Sequence, residues 1–235
     1  MCNKCPTTNF SRRALIWGGA TMLAATPFSR SFAQVPPTAA ASTPDAALKL
    51  LTEGNVRYAA NEPRQRDFSA ARASLALGQA PLATILGCSD SRIAPELAFD
   101  QNPGDLFVMR IAGNFVTPQG LGSIEYGSAV LGSKLIMVLG HSSCGAVKAT
   151  ISALQKGNKF PGHIAGLVQA MKPAIAPVMK KSGDDLEQRA VIANVRHSVE
   201  QLKASKPILS GLIAKGQLRV VGGVYDLATG KVTMV

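Results

Sequence analysis

Two stretches of this chain are built alike. Leu82-Ala83-Thr84-Ile85-Leu86 and Leu135-Ile136-Met137-Val138-Leu139 are short, nearly continuous apolar runs. Each stops at a glycine followed by a residue able to bind metal, Cys88 after the first and His141 after the second. Runs of this length without polar alternation suit strands buried on both faces. Leu106–Arg110 and Leu218–Tyr225 read the same way, and Thr229-Gly230 turns the chain into a short last strand. Helical patterns fill the intervals. One opens at Pro44-Asp45 and runs through Leu48, Leu51, Val56 and Tyr58; the next covers Ser69 to Leu77 and stops at Gly78. Others cover Gly120–Leu131, a segment from Gly145, His163–Lys180 with kinks expected at Pro173 and Pro177, Asp185–Ala204, and Pro207–Lys215. Strands alternating with helices predict an α/β fold: a single domain with a mostly parallel central sheet flanked by helices. At 235 residues and 46% hydrophobic, the chain can build one sizeable core. No Pro/Gly/Ser-rich linker divides it after residue 45, so residues 44–235 read as one domain.

The first 33 residues read as an address. Arg12-Arg13 precedes an apolar stretch from Ala14 to about Thr26, which is shorter than the roughly 20 residues a membrane span needs. The arginine pair, the modest hydrophobicity, Arg30, and the small-x-small end Ser31-Phe32-Ala33 predict a twin-arginine export signal. The expected destination is the periplasm, with no stable membrane anchor after processing. A general secretory signal is the alternative. Cys2 and Cys5 fall inside this segment and read as part of it, and residues 34–43, rich in Pro, Ala, Ser and Thr, read as a flexible arm.

The charge argues against nucleic acid as a partner. The formal net charge is +11, but four of the 25 basic residues lie in the first 33, where there are no acids. The remainder carries 21 bases against 14 acids, scattered and without interleaved aromatics. Such a surface favours small anions at most.

The chemistry gathers where open α/β sheets bind ligands, beyond the carboxyl ends of the strands. Cys88-Ser89-Asp90-Ser91-Arg92 follows one strand, and His141-Ser142-Ser143-Cys144 follows another. Two thiolates, an imidazole and a carboxylate form a full set of zinc ligands. His141 and Cys144 are three apart, so one turn can present both, and Cys144 at a helix start is favoured as a thiolate. Other readings compete. Two cysteines in an exported protein default to a disulfide, but that leaves His141, Asp90 and Arg92 unexplained. Gly140-His141-Ser142 before a helix looks like a nucleophile elbow, but Cys144 stands where that pattern needs glycine.

The combination Cys88-x-Asp90-x-Arg92 with His141-x-x-Cys144 resembles the zinc signature of β-class carbonic anhydrases. The likeness continues in Gly78-Gln79-x-Pro81, Arg110-x-Ala112-Gly113-Asn114, Ser123-x-Glu125-Tyr126 and Val224-Tyr225-Asp226-Leu227-x-Thr229-Gly230, and so spans the chain from about Pro44 onward. The resemblance implies the fold of that family and one Zn2+ per chain on Cys88, His141 and Cys144. Asp90 would be a fourth ligand or a partner to zinc-bound water, oriented by Arg92. It implies reversible hydration of carbon dioxide to bicarbonate and a proton through a zinc-bound hydroxide, with Asp90 and Arg92 as catalytic residues. Phe107, Tyr126, Ala112 and Gly113 would line the substrate pocket, with Gln79 bonding bicarbonate partly across the interface of a homodimer or higher homo-oligomer. Hydrolysis of carbonyl sulfide or carbon disulfide on the same zinc, or zinc binding without turnover, are the alternatives. His163 and His197 read as helix residues rather than proton shuttles.

Overall fold

The computed structural model describes residues 41, 43–180 and 185–235; the expected export signal and most of the expected arm lie outside them. Helix α1 (Pro44–Ala59) leads into a one-turn helix α2 (Arg72–Leu75) and strand β1 (Ala83–Gly87). Then come α3 (Pro95–Ala98), β2 (Leu106–Arg110), α4 (Pro118–Ala129), β3 (Leu135–His141), α5 (Gly145–Lys156) and α6 (Ile164–Ile175), with a 3-10 turn at Ala176–Lys180. Finally α7 (Leu186–Ala204), α8 (Ile208–Ala214), β4 (Arg219–Tyr225) and β5 (Val232–Met234) complete the chain. The sheet order is β2-β1-β3-β4-β5, parallel throughout except for the antiparallel edge strand β5.

The apolar runs behave as doubly covered strands. Every residue of β1 and β3 is buried. Alternate residues of β3 enter different cores: Leu135, Met137 and Leu139 pack with Leu51, Ile85 and Phe99, while Ile136 and Val138 pack with Ile124, Val195 and Leu202. A third apolar cluster, with Phe115, Val147, Met171, Ile175 and Val191, surrounds Cys88 and Cys144.

Helix α1 is set by its ends and by one close approach. Thr43 caps it by accepting the Ala46 N–H at 3.1 Å, and Pro44 occupies the first turn, where a missing N–H costs nothing. Gly54 lies so near α3 that a Cβ there would stand 1.8 Å from the Phe99 carbonyl oxygen. Beside this contact the fully buried carboxylate of Asp100 accepts from Arg57 Nε at 2.6 Å and pairs with Arg66. Burial works against ionisation of Asp100, but the two guanidiniums outweigh it and hold the carboxyl below its ordinary value.

Four points differ from expectation. The helix expected over Ser69–Leu77 is confined to Arg72–Leu75, none of whose residues is buried, so no packing extends it. The four-residue α3 was not anticipated. The helix expected to reach Lys180 keeps α geometry through Pro173 and ends at Ile175, two residues before Pro177, which cannot continue the bonding pattern. His141 is also the last residue of β3, paired with Tyr225, rather than the first of a loop.

Candidate active site

The register aligns Gly87 at the end of β1 with Arg110 at the end of β2 and with Leu139 near the end of β3. Cys88 and His141 therefore emerge side by side. Ser143 takes a left-handed conformation (φ 55°), which turns the chain sharply so that Cys144 becomes the N-cap of α5. The Cys88 and Cys144 sulfurs and a His141 ring nitrogen all lie within 4.8 Å of one another, and all three residues are buried.

Each donor is prepared locally. His141 is fully buried, and its Nδ1 lies 2.9 Å from the Ser142 carbonyl oxygen, so the ring donates there and presents the Nε2 lone pair. Nε2 is buried without a hydrogen-bond partner among the described residues, which in an ordinary core would be costly. Cys88 Sγ accepts the Gly113 N–H at 3.3 Å. Hydrogen bonding from Cys144, with a smaller contribution from the Gly113 N–H, holds the Cys88 thiol below its ordinary value against the opposing effect of burial. Cys144 is pushed the other way by that same bond to Cys88 and by burial, so the two sulfurs share one proton readily. Two sulfurs and an imidazole with its lone pair free, converging in a buried site, fit a zinc ion.

Asp90 stands at the edge of this cluster, Oδ2 lying 3.8 Å from His141 Nε2. Arg92 holds it with a two-pronged grip, Nε to Oδ1 at 2.9 Å and Nη2 to Oδ2 at 2.7 Å, while the Arg92 backbone N–H adds a bond to Oδ1 at 3.0 Å. This grip keeps the Asp90 carboxyl well below the usual carboxylate range. Arg92 Nη2 also donates to the Ser143 carbonyl at 3.2 Å, tying the two site loops together.

Two readings of these loops fall away. Cys88 and Cys144 are free thiols, not a disulfide. Ser142 is no exposed nucleophile, since its hydroxyl accepts the Leu227 N–H at 2.9 Å.

The residues expected around the substrate are more dispersed. The Phe107 and Tyr126 rings tilt against each other at 6.2 Å, with Phe107 half-buried on β2 and Tyr126 48% exposed on α4. Gln79 is exposed on the segment leading into β1. Ala112 and Gly113 follow β2, and the Gly113 N–H is directed at the Cys88 sulfur.

Sequence reasoning missed the supports. Arg110 reaches back from the end of β2 to the carbonyls of Cys88 (2.8 Å), Asp90 (2.6 Å) and Ile93 (3.0 Å), pinning the loop that carries Cys88 and Asp90. Asn194 on α7 donates to the Gly113 carbonyl at 2.7 Å. The available signal was Asn194 and Ser198, polar residues four apart on the apolar stripe formed by Val191, Val195, Val199 and Leu202.

Comparison with known proteins agrees with this geometry. The family model described as carbonic anhydrase matches residues 83–232. A carbonic anhydrase of Mycolicibacterium smegmatis is 41% identical over 194 residues, covering 82% of this chain and 94% of the relative. Carbonic anhydrase 2 of Mycobacterium tuberculosis is 41% identical over 198 residues, covering 82% and 93%. Among solved structures, the Coccomyxa β-carbonic anhydrase in complex with acetazolamide superposes with a TM-score of 0.63 at 31% identity, covering 80% of this chain and 84% of that one. A tetrameric β-carbonic anhydrase of Sordaria macrospora gives 0.63 at 28% identity, covering 69% and 84%. With the family model spanning most of the chain and these relatives matched nearly end to end, the chain belongs to the β-class carbonic anhydrases.

Proposed function

We propose that this protein hydrates carbon dioxide reversibly on one zinc ion per chain, with Cys88, His141 and Cys144 as the protein ligands and Asp90 and Arg92 as the catalytic pair. The observation that carries the assignment is the Asp90–Arg92 grip. A site that only stored metal would not require a carboxylate held by a guanidinium 3.8 Å from the ligand nitrogen. When bound, zinc supplies Lewis acidity, which lowers the pKa of water at its remaining position.

The chain's own groups do the rest. Asp90, kept ionised by Arg92, accepts a hydrogen bond from the attacking oxygen and so directs its lone pair at the substrate carbon. Arg92 keeps Asp90 turned aside from the three donor atoms. Phe107, Tyr126, Ala112 and Gly113 would line a mostly apolar site suited to an uncharged substrate once copies assemble, and Gln79 of a neighbouring copy would hydrogen-bond the bicarbonate product. The exposure of Gln79 and Tyr126 in a single chain supports this shared pocket, as does the tetrameric Sordaria relative, and hence a homo-oligomer.

Arg12-Arg13 and Ser31-Phe32-Ala33 support export by the twin-arginine route to the periplasm. That route carries folded protein, so the two thiols would receive their metal in a reducing compartment. Retention of the Arg12→Lys/Arg13→Lys variant in the cytoplasm would bear out the address.

The enzymatic test is stopped-flow hydration by zinc-assayed mature protein from about pH 6.5 to 9. Turnover rising with pH, with one zinc per chain, is expected. One zinc per chain with no turnover at any pH would overturn the assignment.

A further inference from the structure

We propose that Asn194, which belongs to neither the ligand set nor the catalytic pair, is a positioning residue for the metal centre: it grips the Gly113 carbonyl and thereby keeps the Gly113 N–H on the Cys88 sulfur. The inference rests on the reading of Cys88 as a metal ligand.

The inner face of α7 is apolar except at two positions one turn apart. Asn194 and Ser198 are 1% and 0% exposed among Ala190, Val191, Val195, Val199 and Leu202. Polar side chains in such a stripe need partners, and both find them in the turn that follows β2. Asn194 Nδ2 donates to the Gly113 carbonyl at 2.7 Å, and Ser198 Oγ to the Asn114 carbonyl at 3.4 Å.

Gly113 is the softest link of that turn. Its φ is +88°, and a Cβ there would stand 2.4 Å from Met171 Sδ, so both conformation and space demand glycine. A residue without a side chain cannot anchor itself, and its rigidity has to come from what holds its two peptide groups. On the amino side the Gly113 N–H bonds Cys88 Sγ at 3.3 Å, a weak bond to a large acceptor that will not fix the torsions alone. On the carbonyl side the peptide is held twice: its N–H, that of Asn114, donates to the Ile111 carbonyl at 2.9 Å within the turn, and Asn194, immobilised in the buried face of a nineteen-residue helix, ties its oxygen to the rest of the fold. Asn194 thus acts on the sulfur through one glycine. Ser198 makes a longer bond to the following peptide, one residue farther from the sulfur.

The consequence is electronic as well as geometric. An N–H aimed at a thiolate withdraws electron density from it, and such outer partners tune both the ligand and the metal it holds. Without Asn194 the turn keeps only its internal Asn114-to-Ile111 bond, the Gly113 N–H drifts from the sulfur, and Cys88 becomes a more electron-rich, less firmly placed donor.

The test replaces zinc by cobalt(II) in the full-length protein and reads the sulfur-to-cobalt charge-transfer band and the rate of cobalt release to a chelator. Asn194→Ala should move the band to longer wavelength and speed release about tenfold, the lower end for outer partners of metal ligands. Ser198→Ala, which breaks the neighbouring bond from the same helix, should leave both within about twofold of wild type on that scale. Asn194→Asp keeps the shape but removes the amide donor, and serves if the alanine variant does not fold; it should behave as Asn194→Ala. A folded Asn194 variant with the wild-type band overturns the inference, as does Ser198→Ala moving the band equally. Failure of both Asn194 variants to fold while Ser198→Ala folds also overturns it, since Asn194 would then be a folding element. A wild-type protein with no such band would instead refute Cys88 and Cys144 as ligands, and this inference with them.

Discussion

Gly113→Ala should damage this protein through one atom, and the structure gives the size of the damage. The new methyl would stand 2.4 Å from Met171 Sδ, 3.1 Å from its Cε and 3.3 Å from the Ala146 Cβ. Met171 is fully buried among Phe115, Val147, Ile175 and Val191, so it has no open space to swing into. Overpacking of this kind costs about 1–3 kcal/mol. The positive φ adds about 1–3 kcal/mol of backbone strain for a residue with a Cβ. The stiffer unfolded chain returns only about 0.4–1 kcal/mol. The net loss is about 1–5 kcal/mol, which lowers the melting temperature of a domain this size by about 2–20 °C. Denaturant melts of the metal-loaded protein measure it. Gly166→Ala is the control: it is an exposed position inside α6 with nothing within 4 Å of a new Cβ, and it should stabilise by about 0.5–1 kcal/mol. Adding Met171→Ala to Gly113→Ala should recover about 1–2 kcal/mol relative to the sum of the single changes, because the clash is shared. A Gly113→Ala variant within about 0.5 kcal/mol of wild type would refute the reasoning, since that is the scatter of harmless surface changes. So would strict additivity with Met171→Ala.

Asp90→Asn should keep its zinc and lose about 10²–10³ in turnover, because a neutral amide is a weaker acceptor and its NH2 cannot take the second prong of Arg92; metal analysis beside stopped-flow hydration checks both halves. Cys144→Ser should lose metal and stability together, since ligation and folding are coupled; a zinc-replete variant with the wild-type melting temperature would count against the ligand set. Asp100→Asn leaves Arg57 and Arg66 facing a neutral amide, and should cost about 2–4 kcal/mol, discounted from a fully dry pair because Arg57 is partly exposed. The folded pKa of Asp100 lies below its unfolded value, so its stabilisation is complete above about pH 3.9 and is lost as pH falls through the folded value. Urea melts should therefore show a shallower loss of stability in acid for Asp100→Asn than for wild type.

What was legible in the sequence was what local chemistry decides. Leu135–Leu139 reads as a buried strand because both of its faces carry apolar side chains into separate cores. Cys88-x-Asp90-x-Arg92 reads as a unit because a guanidinium two residues from a carboxylate can fold back on it, as it does. His141-x-x-Cys144 reads as a ligand pair because one left-handed residue between strand and helix suffices to present both. Two short helices were misread for the opposite reason: α2 buries nothing and α3 has only four residues, so periodicity neither sustains the one nor signals the other. The supports were hidden because their partners are remote. Arg110 binds the Cys88 carbonyl 22 positions away, and Asn194 binds Gly113 at a separation of 81. No local pattern specifies which carbonyl a buried amide will find; that follows from how α7 packs across the sheet.

The two site loops form a closed mechanical circuit. Arg92 holds Asp90 with its fork and the Ser143 carbonyl with the same Nη2. Ser143 lies between Ser142, whose carbonyl orients the His141 ring, and Cys144, so any shift of the ligand turn is felt at Arg92. Arg110 closes the other side by fixing the carbonyls of Cys88 and Asp90 from β2. Arg92, its side chain 52% open to solvent, and Arg110 are both exposed, whereas His141 and Cys144 are buried. Water and ions reach the Asp90 clamp far more easily than the buried Cys88–His141–Cys144 cluster, and exposed charge pairs weaken as salt rises. The orientation of Asp90 is therefore the part of the site that solution conditions can alter while Cys88, His141 and Cys144 stay in place.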